Sequence, residues 1–208
     1  MYHIPILFKA PGKVFLKLFI LAFFLLAGKQ SLLAQRFNFT QYNIEDGLIQ
    51  SQVRAFAQSP SHHLWIGTQG GVSRFDGNQF YSLTRSDNGL AGMAITALLA
   101  ESSGKIYLGT NNGLSIYDGR LIHNYRLPGP KEASWIRTLI KDKKGRIYAL
   151  INEQIFLFSG SNFRLIKYPG SSKELVTALT TDAAGNIFAA VYGKGIYELD
   201  NNNWKLKT

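Results

Sequence analysis

The chain repeats itself with a period near 41 residues, and a fixed period of that size decides the architecture before any local reading. Bulky aromatics in the segments HLWIGT, KIYLGT, RIYALI and NIFAAV fall at Trp65, Tyr107, Tyr148 and Phe188, in steps of 42, 41 and 40. The branched residue that opens each unit, Val53, Ile95, Ile136 and Val176, keeps the same steps. A third ladder runs through Asp76-Gly77, Asp118-Gly119, Ser159-Gly160 and Asp200-Asn201. Three ladders with one period imply four copies of one supersecondary unit.

Each unit reads as four short strands. In the first, VRAFAQS, HLWIGT, GVSRFD and NQFYSL are β-type runs separated by Ser59-Pro60-Ser61, Gln69-Gly70-Gly71 and Asp76-Gly77-Asn78. Asp-Gly and Asn-Gly between apolar runs signal tight hairpins, because the turn needs a positive φ that glycine adopts without a steric penalty. No sustained apolar stripe at helical spacing occurs after the first 34 residues, so helices are expected to be scarce. The second strands are apolar at consecutive positions, as in KIYLG and NIFAAV. A strand covered on one face would alternate, whereas one clamped between two neighbours loses the alternation. The expected fold is therefore all-β: a β-propeller of about four four-stranded antiparallel blades. Gly67 and Gly109 are expected to be close-approach positions against the next blade. Their counterparts Leu150 and Ala190 imply different packing in units three and four.

Ahead of the repeats lies a targeting segment. Lys9, Lys13, Lys17 and Lys29 surround an uncharged apolar run from Leu18 to Ala27, and the first acidic residue is Glu45. Ser31-Leu-Leu-Ala34 offers a small residue for cleavage before Gln35, so residues 1–34 read as a secretory signal peptide and the protein as exported, to the periplasm. An uncleaved membrane anchor is the alternative, but the apolar run falls short of the roughly 20 residues that span a bilayer comfortably. The expected organisation is a leading outer strand over 35–46, with Phe37 to Tyr42 as its core, followed by repeats 47–88, 89–133, 134–174 and 175–208.

Composition removes several functions. The chain has no Cys, which excludes a disulfide scaffold, a thiolate metal site and a cysteine nucleophile. Its net charge of +10 invites a nucleic-acid reading, but four of the basic residues and none of the acids belong to the targeting segment. The densest remaining cluster, Lys141, Lys143, Lys144 and Arg146, surrounds Asp142 and Gly145 and reads as a solvated turn, so no nucleic-acid partner is expected.

The stretch Glu45-Asp46-Gly47-Leu48, then Val53, then Leu64-Trp-Ile-Gly-Thr68, then Gly71-Val-Ser-Arg-Phe-Asp-Gly77 resembles the two-component regulator propeller repeat. The second unit matches it through Gly89-Leu90, Leu108-Gly-Thr110 and Gly113-Leu-Ser-Ile-Tyr-Asp-Gly119. The resemblance extends over residues 37 to 208, specific in the first two units and weaker in the last two. Units one and two lack the acid of the family's D-x-x-G turn, whereas Asp142 to Gly145 and Asp182 to Gly185 keep it. The resemblance implies the exported, ligand-sensing part of a bacterial sensor kinase or hybrid two-component regulator, associated with glycan sensing. It also implies further blades and a kinase-bearing segment as partners. A seven-bladed ring at this period needs about 290 residues, so four units form a partial ring with an open edge prone to self-association. A complete four-bladed ring stays open as an alternative.

In a propeller, the loops joining one blade to the next and the turns between second and third strands share one face. That mapping gives Asp46, Gln69, Asp87, Asn88, Asn111, Asn112, Asn152, Glu153, Tyr192 and Lys194 as candidate ligand-binding residues for an oligosaccharide. Turn chemistry alone also explains Asn, Asp and Gly at such places. The acids of the Asp76, Asp118, Asp200 ladder fall on the opposite face and read as structural. His62-His63 has no identifiable third ligand, so no metal site is expected. Gly193-Lys194-Gly195 is not a phosphate loop, because no helix follows it; no cofactor is expected. Asn38-Phe-Thr40 is a glycosylation sequon that matters only in a eukaryotic secretory pathway. The competing function is a propeller glycosidase or lyase, which needs paired carboxylates about 5–9.5 Å apart. Asp46, Asp87, Glu132, Glu153 and Glu174 are the acids on the ligand face, none in a catalytic pattern.

Overall fold

Among the described residues sixteen strands form, and they group four at a time in the order of the sequence. The computed structural model describes residues 39–129, 134–167, 175–200 and 203–207, together with Gly12, Lys17, Phe19 and Leu21. The first sheet comprises β1 (Val53–Gln58), β2 (Leu64–Thr68), β3 (Val72–Phe75) and β4 (Phe80–Leu83). The second comprises β5 (Ile95–Ala100), β6 (Ile106–Thr110), β7 (Gly113–Tyr117) and β8 (Ile122–Tyr125). β9 (Ile136–Lys141), β10 (Ile147–Ile151), β11 (Gln154–Phe158) and β12 (Phe163–Ile166) make the third. β13 (Val176–Thr181), β14 (Ile187–Val191), β15 (Gly195–Asp200) and β16 (Asn203–Lys207) make the fourth. All pairings are antiparallel meanders.

The chain divides into a unit over Met1–Thr40 and a unit over Gln41–Thr208. The four described positions before Phe39 are helical, and the rest of the expected signal peptide lies outside the described residues. Among the described residues no helix is long and apolar enough to cross a membrane.

Hairpin turns form where the sequence places them. Asp76 Oδ1 accepts the backbone N–H groups of Asn78 and Gln79, each at 2.8 Å. Asp118 Oδ1 accepts those of Arg120 and Leu121 at 2.9 and 2.7 Å. Gly77 and Gly119 follow with φ of 102° and 100°, a region that side-chain-bearing residues avoid. A single turn of helix, α1 (Arg85–Asn88), interrupts the connection from β4 to β5.

The cores lie between sheets. Trp65 and Val72 of the first sheet meet Ile95, Ile106 and Leu108 of the second. Tyr107, Leu114 and Ile116 meet Ile136, Ile147, Ala149 and Phe158 of the third. Ile140, Tyr148, Leu150 and Ile155 meet Val176, Leu179, Ala189 and Trp204 of the fourth. β6 and β10 are buried along their whole length, as strands clamped on both faces must be. β14 instead alternates, with Phe188 and Ala190 half-buried, since among the described residues no fifth sheet covers its far face.

Both predicted close approaches occur. A Cβ on Gly67 would stand 2.7 Å from Ile95 Cγ2, and one on Gly109 would stand 2.8 Å from Ile136 Cγ2. In the third interface Leu150 fills that position, fully buried, opposite the smaller Val176.

First strands sit side by side: β1 beside β5, β5 beside β9, and β9 beside β13. Among the described residues no comparable contact returns β13 to β1, so the array does not close. The expected leading strand does not form over its described residues, 39–42. Each of the four described sheets already has its fourth strand, the last included, so none of them offers the leading segment a place. Tyr42 instead sets its ring 5.0 Å from Phe75 and 5.7 Å from Phe80.

Candidate functional site

Two kinds of loop come together at one end of each blade, and backbone hydrogen bonds join them. Gln69 N–H donates to Gln52 O at 3.2 Å, Asn111 N–H to Ala94 O at 3.2 Å, and Tyr192 N–H to Leu175 O at 3.0 Å. The first residue of each of these second turns is thus tied to the segment leading into its blade. In the third blade the link passes through a side chain, because Asn152 Oδ1 accepts the Trp135 N–H at 3.3 Å.

The lead-in loops of the first two blades are seated by a shared device. Leu48 and Leu90 are buried, and the next residue donates its N–H to a serine of the third strand: Ile49 to Ser73 Oγ at 3.1 Å, Ala91 to Ser115 Oγ at 2.9 Å. Ser73 and Ser115 are fully buried, and their hydroxyls reach onward to Ser82 Oγ and Asn124 Oδ1. The equivalent positions in the last two blades hold Phe156 and Tyr197, on blades whose lead-in segments lack the D-G-L pattern. The turns differ correspondingly. Thr68 and Thr110 lock the first two by donating to Gly71 O and Gly113 O at 2.9 and 2.8 Å. The third is a two-residue turn in which Asn152 and Glu153 both have positive φ, 45° and 65°.

Most of the candidate side chains serve these loops. Asp46 Oδ2 accepts Asn43 N–H at 2.7 Å. Thr84, the cap of α1, exchanges hydrogen bonds with Asp87 at 3.0 Å, and its N–H donates to Asn88 Oδ1 at 2.9 Å. Asn111 Oδ1 accepts Ala94 N–H at 3.3 Å, and Asn112 Nδ2 donates to Ala91 O at 2.9 Å. Asn152 Nδ2 donates to Ser134 Oγ at 3.2 Å. Gln69, Tyr192 and Lys194 present exposed side chains, Tyr192 with 76% of its surface accessible, and Glu153 is half-buried. Glu132 and Glu174 lie outside the described residues.

An open hollow of about 560 Å³ lies on this face between the first two blades, lined by Ile49, Gly70, Thr84, Arg85, Ser86 and Met93. Gln69 and Asp87 adjoin its lining in sequence.

The residue-type patterns missed a further ladder. In each sheet the first strand carries one residue more than its partner, at Arg54, Thr96, Arg137 and Thr177. Each follows the branched residue that opens its unit, so position could have marked the ladder. Chemistry could not, because arginine and threonine alternate along it.

At the opposite end, Asp142 Oδ1 accepts the N–H groups of Lys144 and Arg146 at 2.9 and 2.8 Å, and Oδ2 meets Arg146 Nε at 2.7 Å. Burial raises the Asp142 pKa, but the Arg146 side chain and the two N–H donors outweigh it and hold the carboxyl below its usual value. The basic cluster is therefore organised as a turn. Lys143 N–H reaches Gly185 O at 3.2 Å in the neighbouring blade. Asp118 is drawn down to about 2 by the Leu121 and Arg120 N–H groups, aided by His123. Among the described residues no cluster of three or more His, Asp or Glu could hold a metal ion.

No protein-family model and no curated protein matches this sequence. Solved structures do resemble its fold. An extracellular domain assigned to the hybrid two component system BT3049 from B. thetaiotaomicron is 24% identical with a TM-score of 0.61, over 78% of this chain and 24% of that one. That of BT4673 from the same organism is 20% identical with a TM-score of 0.62, over 75% and 22%. Catalytically inactive virginiamycin B lyase from Staphylococcus aureus with quinupristin is 15% identical with a TM-score of 0.63, over 82% and 59%. The chain thus spans about a quarter of the length of the two component system domains it matches. Its fold is an all-β array of four-stranded antiparallel sheets similar to these extracellular domains.

Proposed function

We propose that this chain is the exported, noncatalytic ligand-sensing propeller of a two-component signalling system, with an oligosaccharide as its ligand. In this reading the four blades belong to a larger ring, of seven, and a kinase-bearing segment receives the signal. The observation that carries it is the joined face: in all four blades the lead-in segment and the second turn are bonded to each other, giving a continuous rim able to offer hydrogen-bonding groups. The fold likeness to two component system extracellular domains supports the sensor role and the periplasmic location. The fold likeness to a lyase keeps the propeller-enzyme alternative in view. Against it, Asp46 and Asp87 are held in their own loops by local hydrogen bonds, which suits a scaffold better than a pair of catalytic acids.

The test is calorimetric titration of the purified chain with a panel of oligosaccharides, followed by chromatography of each sugar after incubation. Saturable binding with the sugar recovered intact is the expected result. Cleavage of any sugar in the panel would establish the enzyme instead, and an absence of binding across the panel would remove the glycan ligand.

A further inference from the structure

Each bulge places an unpaired residue on the innermost strand, and bulges commonly re-aim side chains next to binding sites. Two of the four reach the following blade: Thr96 donates to Ile136 O at 2.5 Å, and Arg137 Nη1 donates to Thr177 O at 3.3 Å. The ladder Arg54, Thr96, Arg137, Thr177 therefore runs along the inner rim, from one first strand to the next. Its threonines are satisfied by carbonyls of their own or the neighbouring sheet.

Its arginines are not. Arg54 is exposed and makes no hydrogen bond or ion pair among the described residues. Arg137 is exposed, commits one nitrogen to Thr177 O, and holds its guanidinium 5.9 Å from the centre of the Trp135 ring. Trp135 itself is 43% exposed. No carboxylate lies within ion-pair distance of either arginine among the described residues. Asp46 and Asp87, the acids of the lead-in loops, are engaged locally. The first strands thus offer two guanidinium forks, neither paired to a carboxylate among the described residues, and an accessible aromatic face, with Glu153 as the described acid of the adjoining turn.

We propose that this rim recognises a carboxylate-bearing ligand, with Arg54 and Arg137 binding the acid groups and Trp135 giving an apolar surface for the ligand body. A guanidinium matches a carboxylate in a planar, bidentate arrangement that an ammonium cannot reproduce. The two arginines stand on alternate blades, so an extended ligand with more than one acidic residue engages both. The inference rests on the sensor reading above and narrows its ligand to saccharides containing uronic acid.

Calorimetry of the full chain with a galacturonic acid trisaccharide, a neutral galactose trisaccharide and succinate separates the cases. The acidic trisaccharide is expected to bind at least tenfold more tightly than the neutral one and to weaken as salt is raised. Arg54→Ala and Arg137→Ala should each reduce that affinity at least tenfold, while Lys144→Ala, on the opposite face, should not. Circular dichroism and urea midpoints matching the parent establish that each variant is folded. Equal binding of the neutral sugar would overturn the carboxylate site and leave the saccharide reading standing. Succinate binding as tightly as the acidic sugar, and lost in Arg54→Ala, would uphold the arginine site and overturn the saccharide reading. Failure of all three probes to bind would overturn the inference.

Discussion

The Thr96 hydroxyl donates to the carbonyl oxygen of Ile136 at 2.5 Å, joining the first strands of two successive sheets across 40 residues of sequence. The same oxygen lies 3.1 Å from Gly109 O within its own sheet. Thr96 is the bulged residue of β5, and the bulge leaves its side chain able to cross to the next sheet. Apolar contact dominates the rest of that interface and has no direction, so this polar bond helps fix the register of β9 against β5.

Thr96→Val keeps the shape and removes the donor. With the Ile136 carbonyl left partly buried, the expected cost is about 1–3 kcal/mol. Urea denaturation followed by circular dichroism measures it. A loss below about 0.3 kcal/mol would mean that water replaces the hydroxyl without penalty.

The glycine contacts give a sharper test of blade spacing. Gly109→Ala places a methyl 2.8 Å from Ile136 Cγ2 and 3.1 Å from the Ala97 Cβ, both inside a packed interface. Overpacking of this kind costs about 1–3 kcal/mol. Ile136→Val in the same chain removes an Ile136 methyl but not the crowding Cγ2 branch, whereas Ile136→Ala removes that branch. A double-mutant cycle of Gly109→Ala with Ile136→Ala should therefore show a favourable coupling of about 1 kcal/mol. Ile136 Cβ, 2.9 Å from the new methyl, stays in Ile136→Ala, so strict additivity would argue that the Cγ2 branch is not what crowds it.

Asp142 joins stability to pH. Its carboxyl titrates below the usual carboxylate value in the folded chain, so its contribution is present above the unfolded value near 3.9 and is lost as pH falls through the lowered folded value. Asp142→Ala removes the acceptor for two N–H groups and for Arg146, an expected loss of about 2 kcal/mol at pH 7. The gap between variant and parent should narrow as pH falls below about 4. Asp118, on an exposed turn, should retain its charge to about pH 2 by carbon-detected NMR titration of the carboxyl.

Much of this fold is legible in the sequence, because its determinants are periodic. The aromatic ladder Trp65, Tyr107, Tyr148, Phe188 marks the second strand of every blade, and Gly67 and Gly109 mark where the next blade presses closest. Asp76 and Asp118 mark turns whose chemistry is local and needs no tertiary information. Two things stayed hidden. Residues 37–42 match the outer strand of a repeat, but the fourth unit carries an outer strand of its own, which leaves them no obvious partner. The described part, 39–42, forms no strand, and that it settles as an aromatic contact of Tyr42 with Phe75 and Phe80 is a property of the assembled sheets. The bulge ladder was equally silent, since an extra residue in a pairing register leaves no mark in composition. The face was legible as a set of loops. That Asn111, Asn112 and Asn152 spend their amides on neighbouring backbone or a serine hydroxyl was not, because the partners lie 17 to 21 residues away.

Repeat-equivalent positions also predict unequal energetics. Tyr148 is 1% exposed between the third and fourth sheets, whereas Phe188, its counterpart one unit on, lines an open apolar hollow of about 390 Å³ with Ala178, Thr180, Ala190, Ile196 and Lys207. Removing a large aromatic from a closed interface costs about 3–5 kcal/mol, because lost transfer energy and a residual cavity add together. Tyr148→Ala should fall in that range. Phe188→Ala leaves no enclosed cavity and gives up only part of its buried area, so its cost should be about 1 kcal/mol in this chain. Adding a further repeat to the C-terminal side would cover the hollow and raise the Phe188→Ala cost toward that of Tyr148→Ala. Urea unfolding of both variants at two protein concentrations reads the difference directly. A large, concentration-dependent cost for Phe188→Ala in the unextended chain would show that a second copy already occupies the face, and a large concentration-independent one would place another part of the same chain there.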